Sequence, residues 1–527
     1  MRLFHPIFLL SFAINLAVFT SASAQIVIPD RVVAINAAQI KGDLNKSFNF
    51  CVGAGRANEG LRADWQRQLR LAKQELDFKY IRFHGLLDDD MGVYKEDKAG
   101  KPQYNYQYID ELFDFLVSIK MKPFVELGFM PEALASGKKT VFWYKGNITP
   151  PKDYKKWDGL IKNMVEHWQE RYGKDEVKTW YFEVWNEPNL NIFFSGDMAA
   201  YFKLYQETAN TIKAVSPDYK VGGPATAGNG WIPQMITFCS TNKVPIDFIS
   251  THTYGVNQGF VDVTGERGVI VSPDKNAVSA DMIKSKSQVK RSALPNLELH
   301  YTEWSSSYTP TDPIHDSYFE AAYVLDKIRK AYQSVNSMSY WTFTDIFEEN
   351  GPRFTPFHGG FGLLNYQDIK KPAYYAYSFL NRLGDKELTS SDSSSIACKD
   401  KKGNYQVLFW NFTITHPGDS VNDQTFYKKD LPARQLDPVT VKIDHIPAGK
   451  YKLQVYKVGY HINDAYGTYF DMKLPDQLTR QQVAAIKQAN DGKAVSSAIV
   501  DVSSKGELLK SFPMRENDVY FVTVEKI

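Results

Sequence analysis

Tyr-Phe-Glu-Val-Trp-Asn-Glu-Pro-Asn, residues 181–189, decides the fold. Its apolar, aromatic start suits a pleated, buried surface and reads as a strand. Pro188 breaks that strand and begins a loop, so Glu187 stands just past a strand end. Leu-His-Tyr-Thr-Glu-Trp at 299–304 repeats the arrangement and places Glu303 in the same way.

Working outward, short apolar segments at 48–53, 80–84, 123–127, 180–185, 220–223, 248–253, 298–302 and 338–343 alternate with polar, helix-like stretches. That rhythm predicts an α/β fold with a parallel sheet. Eight such strands fit a (β/α)8 TIM barrel over 46–382, whose working groups gather at the C-terminal strand ends. Asp197 is placed to cap the helix after the fourth strand. Tyr201, Leu204, Tyr205, Ile212 and Val215 then form a stripe that packs on the barrel and ends before Pro217.

The composition changes beyond Leu380. Residues 385–395 are polar and serine-rich, and β-like runs follow at 405–412, 439–443, 451–458, 498–502 and 519–524, with only 479–489 reading as helical. Residues 383–527 are therefore expected to form an accessory β-sandwich, with 25–45 as an N-terminal segment that completes it in an open register.

Met1-Arg2, an apolar stretch over 7–19 and Ala22-Ser23-Ala24 have the pattern of a signal peptide, 1–24, cut before Gln25. The stretch is too short for a membrane span, so a periplasmic or secreted protein without stable membrane insertion is expected. Lys and Arg total 62 against 60 Asp and Glu, which gives no reason to expect a nucleic-acid partner. Three cysteines, Cys51, Cys239 and Cys398, allow one disulfide with a thiol left over, or three buried thiols. No zinc-ligand spacing and no phosphate-cradling glycine loop occurs, and neither a metal nor a cofactor is expected.

Two carboxylates at the rim of one barrel are what glycosidic bond cleavage needs. A retaining enzyme protonates the leaving oxygen with one acid while the other attacks the anomeric carbon, with about 5 to 5.5 Å between the carboxyl groups. Glu187 suits the acid/base role, with Asn186 beside it to bind a sugar hydroxyl. Glu303 suits the nucleophile, in an aromatic setting of Tyr301 and Trp304, with Tyr254 available as a donor that orients it. Glu126, inside the third strand, either helps bind substrate or accepts structural hydrogen bonds. Glu183 shares the side of Glu187 one layer lower and is expected to be buried. Phe129, Trp143, Trp304, Trp341 and Phe347 are the aromatic candidates for a sugar cleft, and the loop at 345–354 is placed to close one side.

Four segments carry a resemblance: Tyr-Ile-Arg-Phe-His-Gly-Leu-Leu-Asp-Asp-Asp at 80–90, Phe-Glu-Val-Trp-Asn-Glu-Pro-Asn at 182–189, Ser-Thr-His-Thr-Tyr-Gly at 250–255 and Tyr-Thr-Glu-Trp at 301–304. Together they resemble glycoside hydrolase family 39, the β-xylosidases and α-L-iduronidases. Asn-Glu-Pro is common to a wider clan, whereas His84-Gly85 with its acidic turn is more particular to this family. The resemblance implies Glu187 as acid/base, Glu303 as nucleophile, retention of configuration and exo-action. It also implies that His84 and His252 line the subsite of the terminal sugar, and that Tyr254 donates to the nucleophile or the ring oxygen.

The two substrate classes of the family make opposite electrostatic demands. A uronate needs Lys or Arg nearby, whereas the expected rim carries Asp88, Asp89, Asp90, Asp345, Glu348 and Glu349 against Lys145 and Arg353. A neutral carbohydrate substrate is expected, β-xylosides first, with β-glucosides, β-galactosides and α-L-arabinopyranosides as alternatives. A noncatalytic carbohydrate-binding protein is the reading from a different class. Oligomeric state leaves no mark on this sequence.

Overall fold

The computed structural model describes residues 31–261, 267–414 and 424–527. The leader read at 1–24 lies outside the described residues.

A closed barrel of eight parallel strands forms the larger domain. In chain order they are Cys51–Arg56, Tyr80–His84, Lys122–Leu127, Tyr181–Val184, Lys220–Thr226, Phe248–Tyr254, Glu298–Ser305 and Ser337–Tyr340. The eighth closes on the first through Tyr340 beside Val52. All eight expected strands are present. The first begins later than its apolar residues suggest, because Ser47–Asn49 forms a short 3-10 turn.

Period-two alternation sets the two sides of the barrel wall. On the third strand Val125 and Leu127 join the apolar layer under the helices, whereas Phe124 and Glu126 point to the axis. On the fourth, Phe182 and Val184 pack outward, leaving Tyr181 and Glu183 inside. The helix Met198–Val215 follows, with Asp197 accepting from the Ala200 amide at its N-terminus and Tyr201, Leu204, Tyr205 and Ile212 buried against the barrel.

The accessory domain is one nine-stranded sheet that includes Val32–Asp43. That N-terminal strand runs parallel to Gln435–Asp444 and antiparallel to Lys386–Ser390. The sheet folds over its own apolar face, so that Phe409 meets Phe512 from a non-neighbouring strand with centroids 5.3 Å apart. The polar stretch after Leu380 contains the strand Lys386–Ser390, hidden because Glu387 and Leu388 alone in it are fully buried. A second helix, Ala465–Asp471, joins the expected one at Arg480–Ala489. It is too short to show a periodic stripe, and Asp464 caps it by accepting from the Gly467 amide.

The three cysteines are all buried free thiols. Among the described residues no helix is long and apolar enough to cross a membrane.

Candidate active site

The strand ends are irregular where the chemistry sits. On the seventh strand Tyr301 pairs with Thr251 and Glu303 with His252, leaving Thr302 as an extra residue. This bulge turns both Thr302 and Glu303 to the axis and reverses the alternation beyond it. Trp304 consequently points outward, fully buried against Tyr340 with centroids 5.8 Å apart. It is not a sugar platform. Tyr301 also faces outward, hydrogen-bonded to Ser285 and Asn229, so the aromatic setting expected around Glu303 is absent on that strand.

The fourth strand ends in a similar break. Trp185 and Glu187 both have left-handed backbone, at φ 72° and 43°. Trp185 is thereby buried against the loop residues Phe129 and Phe194 with its indole donating to the Phe193 carbonyl, while Asn186 and Glu187 both reach the mouth. The Glu187 amide donates to the Ala225 carbonyl at 2.9 Å, which fixes the turn.

Arg82, on the second strand, is the electrostatic centre. Its guanidinium donates to Glu303 Oε1 at 2.7 Å and to Glu183 Oε2 at 2.6 Å, and lies 2.7 Å from Glu126 Oε2. It also donates to Asn186 Oδ1 at 3.0 Å, which leaves that amide's NH2 free for the cavity. Burial disfavours the cation, yet the charges of Glu183, Glu126 and Glu303 raise its pKa further still. Sequence alone assigns Arg82 no role. Its parity with His84, two residues on along an apolar strand, is the signal that places it inside.

Glu303 is held at both oxygens, by Arg82 and by the Tyr254 hydroxyl, which donates to Oε2 at 2.7 Å. Burial and the Glu303 charge push the Tyr254 phenol well above its ordinary range, so it stays a donor. Glu187 has the opposite setting. It has no cationic partner of its own, and burial, then the Glu303 charge, raise its carboxyl well above the usual carboxylate range. His252 Nδ1 lies 2.8 Å from Glu187 Oε1 and 3.5 Å from Glu303 Oε2. Burial and the charges of Arg82 and His84 hold that imidazole well below its ordinary value, hence neutral. Glu187 is thus built to keep a proton, whereas Glu303 accepts from a donor at each oxygen.

Glu187, His252 and Glu303 present donor atoms within 4.8 Å of one another. Such a set can also hold a cation, but both Glu303 oxygens already have proton donors. In the accessory domain Asp430, His461 and Asp471 form an exposed cluster. There burial lowers the imidazole, but the hydrogen bond and charge of Asp430 raise it above its ordinary value.

The carboxylates open into a cavity of about 740 Å³. His84, Asn186, Tyr254 and Trp341 line it as expected. His84 Nδ1 is 2.7 Å from Glu126, and its Nε2 lies 3.6 Å from both Glu303 and Glu349. Trp341 packs closely on the first strand because Gly53 is there: a Cβ would come within 2.4 Å of the indole. Glu126 and His252 stand behind the wall, contacting Arg82 and His84, and Glu187, respectively. Phe347 buttresses Trp341 from behind, with Phe361 taking the place on the cavity that Phe347 was expected to fill. Phe129 packs behind Phe142, and Trp143 is 57% exposed beside Gly351. Leu190, Ile192, Asn229, Asp281 and Tyr308 also line the cavity and carried no distinctive sequence signal.

Glu349 brings the expected loop to the cavity, its carboxyl raised well above the ordinary range by burial and by Glu303. Asp345 instead pairs with Lys371, and Glu348 with Arg56 and Arg62. Among the described residues no lysine or arginine lines the cavity. A smaller cleft of about 20 Å³ beside Tyr318 and Tyr460 contains neither catalytic candidate and is too small for a sugar.

A parallel barrel with two buried carboxylates of opposite setting facing one cavity defines a retaining glycoside hydrolase. The chain belongs to glycosyl hydrolases family 39, whose profile matches residues 31–508. It is 48% identical over 503 residues to a β-xylosidase of Caldicellulosiruptor saccharolyticus, covering 94% of this chain and 98% of that one. The GH39 enzyme of Xanthomonas axonopodis pv. citri superposes with a TM-score of 0.92 at 41% identity, covering 96% and 99% of the two chains. A monomeric β-xylosidase of Caulobacter crescentus CB15 gives 0.90 at 40%, covering 94% and 100%.

Proposed function

We propose that this protein is an exo-acting β-xylosidase that releases D-xylose from non-reducing ends by double displacement. The observation that carries the mechanism is the approach of Glu187 and Glu303 within 4.8 Å across the cavity, each with an opposite electrostatic setting. One oxygen of each carboxyl lies within that distance, a close approach that fits the short separation of a retaining pair better than the about 6.5 to 9.5 Å of an inverting one.

Glu303, aligned by Arg82 and Tyr254, attacks the anomeric carbon while Glu187 gives its proton to the leaving oxygen. The bond from carbon to the leaving oxygen breaks as the bond to Glu303 forms. Glu187, now ionised, takes a proton from water, whose oxygen then displaces Glu303 and frees the sugar. His84, the Asn186 amide and the flat face of Trp341 supply contacts for the terminal sugar.

The likeness to characterised β-xylosidases over nearly the whole chain supports a xyloside glycone. The α-L-iduronidases of mouse and human match it at 25% and 29% over 39% and 30% of this chain. A uronate would meet Glu349 and Asp281 without a lysine or arginine on the described wall, which favours a neutral sugar. We place its action in the periplasm or the medium, on the pattern of residues 1–24.

Initial rates on 4-nitrophenyl β-D-xylopyranoside, β-D-glucopyranoside, β-D-galactopyranoside, α-L-arabinopyranoside and α-L-iduronide test the assignment. The xyloside is expected to lead the panel. Faster turnover of another glycoside would replace the substrate, and absence of turnover on all five would point to a carbohydrate-binding role.

A further inference from the structure

A chain of hydrogen bonds runs from Arg82 to Glu187 through Glu183, Thr302 and His252, and its direction can be read from one end. Arg82 Nε donates to Glu183 Oε2 at 2.6 Å. Burial raises the Glu183 carboxyl although Arg82 opposes the rise, and with Oε2 accepting from the guanidinium Glu183 has no hydrogen to place on that oxygen. The other oxygen, Oε1, accepts from the Thr302 hydroxyl at 2.8 Å. Thr302 has one proton and has spent it, so its oxygen must accept from His252 Nε2 at 3.1 Å. A neutral imidazole protonated at Nε2 has a bare Nδ1, and that atom faces Glu187 Oε1 at 2.8 Å.

We infer that Thr302 is a positioning residue that fixes His252 as the Nε2–H tautomer and so leaves Glu187 as the donor in the resting enzyme. This rests on the reading of Glu187 as the acid/base. After the first displacement the ionised Glu187 faces a nitrogen with no proton to offer, and this favours its recovering a proton from water. Thr302 thereby serves both halves of the cycle without touching substrate.

The other charged and titratable groups around this chain are Arg82 and His84 from the second strand, Glu126 from the third, and Tyr254 from the sixth. Glu303 from the seventh and Glu349 from the loop after the eighth complete the set. None of them bonds His252 at Nε2, where Thr302 is the partner. The bulge that puts Thr302 inward beside Glu303 also builds this contact.

Thr302→Val keeps the shape and removes the hydroxyl, leaving a buried Nε2–H without an acceptor. The imidazole then gains by moving its proton to Nδ1, where it donates to the Glu187 carboxylate and stabilises the anion. The measurements are the 15N spectrum of the His252 ring and the pH profile of kcat/KM on an aryl xyloside with a poor leaving group. The wild type and Thr302→Ser are expected to show a bare Nδ1. Thr302→Val is expected to show Nδ1–H, with the basic limb moved down by about one pH unit, the shift that corresponds to a tenfold change in the acid's equilibrium. A dinitrophenyl xyloside, which needs little protonation, should lose less rate than the poor leaving group.

A protonated Nδ1 in the wild type, or a basic limb unmoved in a Thr302→Val protein whose circular dichroism is native, overturns the inference. Glu187→Gln separates the two readings. If the basic limb survives in that variant, Glu187 is not the acid, while the ring spectrum still reports whether Thr302 sets the tautomer.

Discussion

Two layers of the same barrel interior, one pleat apart, have opposite chemistry. The lower layer is a plug of Cys51, Phe124, Tyr181 and Phe248 around His300, with Phe124 and Tyr181 stacked at 5.0 Å. Two residues further along the same strands stand Glu126, Glu183 and, on the second strand, Arg82. The strands supply both layers by alternation alone, so the change from apolar plug to charged mouth costs the fold no new element. The plug holds the barrel closed and the mouth holds one cation among three carboxylates. Stability and catalysis are thereby assigned to adjacent rows of one scaffold.

That division can be broken from either side. Glu303→Gln removes the nucleophile and is expected to lower kcat on every glycoside by about 10⁴-fold or more, roughly 5 kcal/mol of barrier, with little change in Tm. Phe124→Ala should do the reverse. Chemical denaturation is expected to show a loss of about 3 to 5 kcal/mol, from transfer and the cavity left behind, with the pH profile of kcat/KM unchanged.

Arg82→Lys sharpens the comparison because it keeps the charge and discards the fork that reaches Glu183, Glu303 and Asn186 together. Its kcat should fall by about 10²-fold, near 2.7 kcal/mol, and isothermal denaturation should show a further loss of stability from the unpaired buried acids.

The smallest effect concerns Glu187 and has the opposite sign for stability. Burial raises its carboxyl above its value in the unfolded chain, so the folded protein keeps a proton that the unfolded chain releases. Stability from this site therefore declines as pH rises from the unfolded value, about 4.3, towards the raised folded one. Glu187→Gln removes that dependence. Its Tm relative to the wild type should be higher at pH 7 than at pH 4.5, and an equal difference at both would contradict the assigned setting.

Much of this was legible in the sequence because apolar strands and punctuating prolines are local signals. The eight strands, the cap at Asp197 and both glutamates were read from such signals. What escaped was parity. Strict alternation from His300 would turn Trp304 inward and Glu303 outward, and the bulge at Thr302 exchanges them. No residue type in Tyr-Thr-Glu-Trp announces a bulge, since it arises from pairing with both neighbouring strands. Phe347 failed for a related reason: an aromatic near the rim contacts either the sugar or the ring that contacts the sugar, and only tertiary packing decides. The strand Lys386–Ser390 was hidden because its environment comes from Val32–Asp43, far away in the chain.

The division of roles between Glu187 and Glu303 is tested most directly by trapping the covalent intermediate. Treating the protein with 2,4-dinitrophenyl 2-deoxy-2-fluoro-β-D-xylopyranoside and mapping the added mass by peptide mass spectrometry should place a single fluoroxylosyl group on Glu303. A label on Glu187 or another residue, or continued turnover of an aryl xyloside with no covalent label at any time, would contradict it.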